Sequence, residues 1–304
     1  MTQFLSLLLN GLSLGAIYAL IALGFVIIFK ASEVVSFTHG SLLLLGAYSI
    51  ARLSGPLGFL PAVLVGLLVT ALAGLLITAL AALVIERLII NRLRGAPVIS
   101  LAIVTIGVDI ILLTELIRRI GPDILNVPHP WGGESVRIGG IGITQNRLIA
   151  MVVAGVLIVL FFVAFKYSSW GVAMRASAED GETAALMGIR QGRVSALAWV
   201  VAGVLAGVAA LFLVGSPTPG VSSAVYATAL RAFPAAILGG LDSTGGALVG
   251  GLLIGVAESL AAGYQENLLF LGRGFGEVVP YVVMIAVLLV RPSGLFGTKE
   301  LTRV

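Results

Sequence analysis

The residues best equipped for chemistry in this chain are few, and most of them stand among apolar neighbours. Asp109 lies in the middle of an apolar run, where an ionised carboxylate is costly unless it is paired or wet. It reads either as a functional carboxylate or as a structural hydrogen bond inside a helix bundle. Ser36, Thr38, His39 and Ser41 cluster around Gly40. Cysteine is absent and histidine occurs twice, at positions 39 and 129, which removes thiol chemistry, disulfides and nearly every His/Cys metal site. Acids within apolar runs are scattered, and neither a Ser/His/Asp set nor metal-ligand spacing is visible, so a membrane-embedded enzyme is a weak reading. There is also no Gly-x4-Gly-Lys-Ser/Thr loop, so no ATPase of that kind is expected in the chain.

The polar segment 166–193, KYSSWGVAMRASAEDGETAALMGIRQGR, carries four basic residues, Lys166, Arg175, Arg190 and Arg193. Ser177 with Asp180 three residues on reads as a capping box that opens a short helix. Glu179, Asp180 and Glu182 would place negative charge in its first turns, where the macrodipole favours it. Gly188 is placed to leave the helix through a left-handed conformation, with Arg190 after it. At 100° per residue, Ala178, Gly181, Ala185 and Ile189 fall on one small-residue face. Such a helix either merely covers the end of a bundle or lies in the groove of another protein.

The elements that must position these residues are membrane-grade. In 304 residues, 59% are hydrophobic and only 11% charged, and the mean hydropathy is +1.13. A soluble domain carries about a quarter charged residues. The polar segments 118–147 and 166–193 are each too short for a core of their own. Residues 1–29 contain no charged side chain and Lys30 follows them, the reverse of a signal peptide, so 4–29 is expected to be a retained first span. Further spans are expected over 61–85, 96–117, 148–165, 194–214 and about 278–290. Val136-Arg137-Ile138 and Ile141-Gly142-Ile143 around Gly139-Gly140 predict a small hairpin. Small residues recur at spacing four, at Gly11/Gly15, Gly203/Gly207, Gly246/Gly250 and Gly251/Gly255, which predicts close helix approach. Some of these faces are expected to pair within the chain, with one left for a partner.

Two places break the apolar pattern. Residues 30–48 form either an ordinary turn or broken backbone, which survives at membrane depth only where it lines a cavity or is buried in protein. Residues 226–240 are too short for a full crossing, and the glycine-dense run after them reads either as part of a transport path or as a stabilising re-entrant stub. Lys and Arg clusters at 87–94, 166–193 and 291–303 put those segments on the cytoplasmic side, leaving the N-terminus and 118–147 outside. Arg118, Arg119, Arg137 and Arg147 oppose that assignment. The net charge of +4 is an orientation signal and does not point to nucleic acid.

Separated motifs along the chain resemble, in order, the LivH-type permease subunits of bacterial branched-chain amino-acid ABC importers. Phe37-Thr38-His39-Gly40 is similar to that family's Phe-Ala-His-Gly stretch. Glu182-Thr183-Ala184 followed by Gly188 is similar to the Glu-Ala-Ala…Gly loop of ABC permeases, with threonine in place of the first alanine. The run Ala235 to Gly240 and RPSGLFG at 291–297 also resemble the LivH-type pattern. The resemblance implies one all-α domain over 1–304, a polytopic transmembrane helical bundle of about 8–9 segments with broken or re-entrant helices. It implies a multi-pass permease of the bacterial inner membrane, in contact with lipid. Its coupling helix would carry Ser177, Ala178, Asp180, Gly181, Glu182, Ala184, Ala185 and Gly188. With the two breaks, it makes Phe37, Thr38, His39, Gly40, Gly239, Gly240, Gly245 and Gly246 the expected pathway residues. The implied partners are a second homologous permease, two ABC ATPase subunits that use ATP, and an extracytoplasmic binding protein; no cofactor is expected on this chain. Leucine, isoleucine and valine are the implied substrates, with urea or short amides as alternatives. A gradient-driven secondary transporter is the rival, and it would need no docking helix.

Overall fold

A computed structural model describes residues 2–33, 35–54, 98–127, 134–138, 141–215, 220–267 and 274–298, with Leu83 and Arg87 as isolated positions. The expected third span at 61–85, together with Arg92 and Arg94, lies outside the described residues, as do Gly139-Gly140 and His129. Among the described residues the fold is an all-α bundle with one short hairpin. In it β1 (Ser135–Ile138) pairs antiparallel with β2 (Ile141–Thr144), Ser135 opposite Thr144.

The central element is α1 (Thr2–Ser32). It holds no charge before Lys30 and no proline, and every residue from Gly15 to Ile28 is buried. A helix that is apolar all round is either enclosed by other helices or faces lipid, and α1 is enclosed. Around it stand α2 (His39–Ser54), α3 (Val98–Ile120), α4 (Gln145–Tyr167), α7 (Gln191–Leu213), α8 (Ala224–Gly239), α9 (Thr244–Gly263) and α10 (Phe275–Val290), while the short α5 (Ser169–Glu179) and α6 (Gly181–Leu186) cross one end. Four of these, α1, α4, α7 and α9, are long and apolar enough to cross a membrane. The helix α4 shows how one sequence serves two environments. Ala150, Ala154, Ile158, Phe161 and Phe165 form its buried stripe, whereas Val152, Val156, Val159 and Val163 are exposed and suited to lipid.

The seam that fixes the bundle is α1 against antiparallel α9. A Cβ on Gly11 would stand 2.7 Å from Val256 Cα, and one on Gly15 2.8 Å from Leu252 Cα. Gly251 and Gly255 of α9 pack in turn on Ala19 and Gly15. The Gly246/Gly250 face is filled by Gly239 and Ala235 of α8, and Gly203 and Gly207 are buried in α7. These glycine faces are therefore filled from within the chain, which corrects the expectation that one is left over for a partner. Close backbone approach gains dispersion where lipid supplies little hydrophobic drive between helices.

Candidate functional site

Three regions of this bundle gather polar groups, beginning with the sharp corner after α4. Ser168 caps α5 by accepting from the Gly171 N–H at 3.0 Å. The Arg175 guanidinium donates to the Phe165 and Lys166 carbonyls, which α4 leaves free at its C-terminus. The expected helix opening at Ser177 is not there. Ser177 lies in the last turns of α5, its hydroxyl has no partner among the described residues, and Asp180 with φ −154° ends that helix. The reason is Asp180 itself, which is the N-cap of a separate α6. Its carboxylate accepts from the Thr183 N–H at 3.0 Å and from the Thr183 hydroxyl at 2.6 Å. Those bonds hold the carboxyl below its ordinary pKa. Gly188, at φ +87°, is the left-handed exit of α6.

The predicted small-residue face is thereby divided. Ala178 sits half-buried on α5, and Gly181 is covered by Gln191, whose amide donates to the Gly181 carbonyl. Ala184 is buried, while Glu182 and Ala185 are exposed. The most exposed apolar side chains here are two that the face did not include, Leu186 at 88% and Met187 at 81%.

The second region is the break after α1. Residues 35–38 are non-helical, yet Ser36 and Thr38 are buried, and α2 starts with His39 packed on Gly24. Gly24 lies eight residues before the end of α1, or about 12 Å up the helix. The chain therefore re-enters the bundle in irregular form, and the ordinary-turn alternative is not the one adopted. Two of its hydroxyls are bonded, Thr38 donating to the Thr105 carbonyl of α3 at 3.0 Å and Ser41 to the Thr38 carbonyl at 2.9 Å, whereas the Ser36 hydroxyl has no partner among the described residues. The His39 ring stands edge-on to Phe25 at 4.7 Å, and Phe37 lies 5.9 Å from Phe233. Gly40 makes room for the ring of Tyr226, whose hydroxyl donates to Asp109 at 2.6 Å. That supplies the partner of the mid-span acid. The other oxygen of Asp109 is buried without a partner among the described residues.

The glycine-dense break behaves differently. Gly239 packs on Gly246, Gly240 turns at φ +102°, and the C-terminal segment folds over both. The Leu295 N–H donates to the Leu238 carbonyl at 2.8 Å, and the Phe296 N–H to that of Gly239 at 3.1 Å. Lys30 donates to the Asp242 carbonyl at 2.8 Å from the end of α1. Gly245 has open space around it.

The third region is a cavity of about 610 Å³ at the other end of the bundle, bounded by the start of α1, α4 and α8 and the end of α9. None of the eight expected pathway residues lines it. Its polar wall is a chain of ionic contacts. Tyr18, fully buried, donates to Glu258 at 2.7 Å, and Glu258 pairs with Arg231 at 2.9 Å. Arg231 also reaches Glu277 at 3.3 Å. Sequence reasoning missed these groups. The available signal was Arg231 and Glu258, charges inside otherwise apolar helices.

The family model described as branched-chain amino acid transport system / permease component matches residues 7–288. The chain belongs to this family. This permease is 32% identical over 324 residues to the high-affinity branched-chain amino acid transport system permease protein LivH of Salmonella typhimurium, covering 99% of this chain and 98% of that protein. Against LivH of Escherichia coli K12 the identity is 30% over 323 residues, again covering 99% of the permease and 98% of the relative. Against BraD of Pseudomonas aeruginosa it is 31% over 313 residues, with the same 99% and 98% covered. The match runs across all three polar regions.

Proposed function

We propose that this permease moves branched-chain or closely similar amino acids across the bacterial inner membrane, driven by ATP that two separate ATPase subunits hydrolyse. It works beside a second, homologous permease, and an extracytoplasmic binding protein delivers the substrate. The observation that carries this reading is the placement of two regions at opposite ends of one helix. Asn146 and Arg147, at the start of α4, line the charged cavity. Tyr167, at its end, leads into α5 and α6 with their exposed Leu186 and Met187. That helix of 23 residues spans about 35 Å, which is the thickness of a membrane's hydrocarbon core and a little more.

The α6 end is cytoplasmic in this reading and docks in an ATPase groove, with Leu186 and Met187 as apolar anchors and Glu182 and Ala185 beside them. The cavity end faces the binding protein. Closure of the ATPases would shift α5 and α6, and the glycine-packed helices would carry that shift across the bilayer as alternating access. Relatives named as permease components of branched-chain amino acid transport systems support the substrate class.

The test is reconstitution of the whole assembly in proteoliposomes. Met187→Asp or Ala185→Trp should leave the permease inserted and abolish substrate-stimulated ATP hydrolysis. Gly181→Trp is a poorer probe, because bulk there meets Gln191 and disturbs the loop itself. Uptake that runs without nucleotide, or normal coupling in Met187→Asp, would overturn the reading.

A further inference from the structure

The cavity at the cofacial ends of α1, α4, α8 and α9 has a charge pattern that the transport reading does not require. Among the described residues, two cationic side chains, Arg147 and Arg231, and two anionic ones, Glu258 and Glu277, border it, so their formal charges cancel. Leu14, Ile17, Phe212 and Val225 supply an apolar wall beside them. At about 610 Å³ it falls within the range of about 300–1,000 Å³ typical of small-molecule pockets.

The members of the ionic chain are not equivalent. Glu258, whose side chain is 9% exposed, spends one oxygen on Tyr18 and the other on Arg231. Removing Arg231 would leave the Glu258 charge unpaired in a mostly buried position, and removing Tyr18 would take the donor from one of its oxygens. Glu277 is 68% exposed and, among the described residues, holds the second guanidinium nitrogen of Arg231 at the longer distance of 3.3 Å. A pair whose carboxylate end is open to solvent is weaker and more readily exchanged than one closed on both sides. The guanidinium of Arg231 thus has one fixed carboxylate and one replaceable carboxylate.

Resting on the transport reading above, we infer that this cavity is a transit site for a zwitterionic aliphatic α-amino acid. The substrate carboxylate displaces Glu277 from Arg231, and the released Glu277 receives the substrate ammonium. The exchange replaces one carboxylate–guanidinium contact by another and adds an ammonium–carboxylate contact, so no charge is left unpaired. The aliphatic side chain rests on Leu14, Ile17, Phe212 and Val225. Tyr18 and Glu258 are positioning residues that hold Arg231 in place. Neither a neutral amide nor a molecule with only one of the two charges completes both contacts.

The absence of cysteine from the permease makes the test direct. Thr228 lines the cavity within one turn of Arg231 and would be changed to cysteine. In the full assembly in nanodiscs, with and without nucleotide, the labelling rate of the T228C permease by a water-soluble maleimide would be followed as a gel shift. L-Leucine should slow labelling in at least one nucleotide state. L-Leucinamide, which lacks the carboxylate, and 4-methylpentanoate, which lacks the ammonium, should not. Adding Glu277→Gln should raise the leucine concentration for half-protection about tenfold, the loss of one charge-assisted contact. Glu277→Asp should restore part of it, which a merely structural role for the carboxylate would not do.

If Thr228→Cys does not insert, Ser222→Cys on the same wall takes its place. Labelling insensitive to leucine at both positions, in an assembly that still takes up leucine with ATP, overturns the site and leaves the transport reading standing. Equal protection by leucinamide or 4-methylpentanoate also overturns it, since the cavity would then be selecting only an aliphatic body. An unmodified assembly that takes up no amino acid at all removes the transport reading itself.

Discussion

After α1 the chain turns back into the bundle and restarts as α2 beside Gly24, with Ser36, Thr38, His39 and Ser41 all buried. After α8 the chain also stops and restarts, but its turn stands beside Lys30 at the end of α1 and is clasped by residues 294–298. Side-chain hydroxyls hold the first break, because irregular backbone inside a bundle must find donors and acceptors without water. Backbone fit holds the second, in which Gly239 and Gly246 meet with no room for a side chain. Both look like interrupted apolar pattern in the sequence. The difference lies in the residue types at each break: hydroxyl and imidazole groups mark the one at depth, whereas glycines with Asp242 and Ser243 mark the one at the end.

The sharpest way to break this comparison is at Gly239. Gly239→Val must push aside the Gly246 backbone, so we expect about 3 kcal/mol of destabilisation, at the upper end of ordinary overpacking. Gly245→Ala, six residues on with open space around it, should change stability by less than about 0.5 kcal/mol. Thermal unfolding of the detergent-solubilised permease compares them, and equal effects would mean that backbone fit is not what holds the turn. A smaller effect is expected at the other break. Tyr226→Phe leaves both oxygens of Asp109 without a partner among the described residues and should cost about 1–3 kcal/mol. Asp242→Ala removes the bonds to Thr298 at the surface and should cost less than about 1 kcal/mol, because water can take over there. A reversed order in the same assay would locate the sensitive polar contact in the turn.

The smallest effect concerns a third turn, held by one exposed carboxylate. Asp180 titrates below its ordinary value because the Thr183 hydroxyl and N–H bond the ionised form. A depressed value means that the stabilisation is fully present above the unfolded carboxylate's pKa, about 3.9, and is lost as pH falls through the folded value. Amide-exchange protection in α6 should therefore hold from neutral pH down to about 4 and decline below it. Asp180→Ala should show the unprotected rate throughout. If that variant matched the unmodified loop, the cap would be irrelevant to α6.

Much of the bundle is legible without coordinates, though for uneven reasons. Hydropathy places the first, fourth, fifth and sixth spans at 4–29, 96–117, 148–165 and 194–214, and the helices run over Thr2–Ser32, Val98–Ile120, Gln145–Tyr167 and Gln191–Leu213. Length and hydropathy suffice there, because every backbone group must be satisfied inside its own segment. The pairing of 135–138 with 141–144 and the left-handed exit at Gly188 are equally local, since their partners lie within a few residues. The opening of the short loop helix lies three residues beyond the position that its capping pattern predicts. Ser177 and Asp180 both suit an N-cap; the corner fixed by Ser168 and Arg175 starts α5 at Ser169, so Ser177 falls inside that helix, and Asp180, which ends it, takes the role.

What the sequence alone determined is the class of object: a polytopic helical permease with glycine faces at spacing four, a polar loop at one end and isolated charges at depth. Spacing of four puts glycines on one side of a helix, and hydropathy says that the side is not wet. Neither says which other face will meet it. Only the tertiary structure decided that Gly11 and Gly15 meet Gly251 and Gly255, and that α1 and α9 therefore run antiparallel in close contact. That contact lets Tyr18 reach Glu258, 240 residues away in the chain, and leaves Arg231 with one exchangeable carboxylate. The physical reason is reach. Periodicity and turn chemistry act within one element, whereas a buried ion pair exists only once separate helices have packed and excluded the water between them.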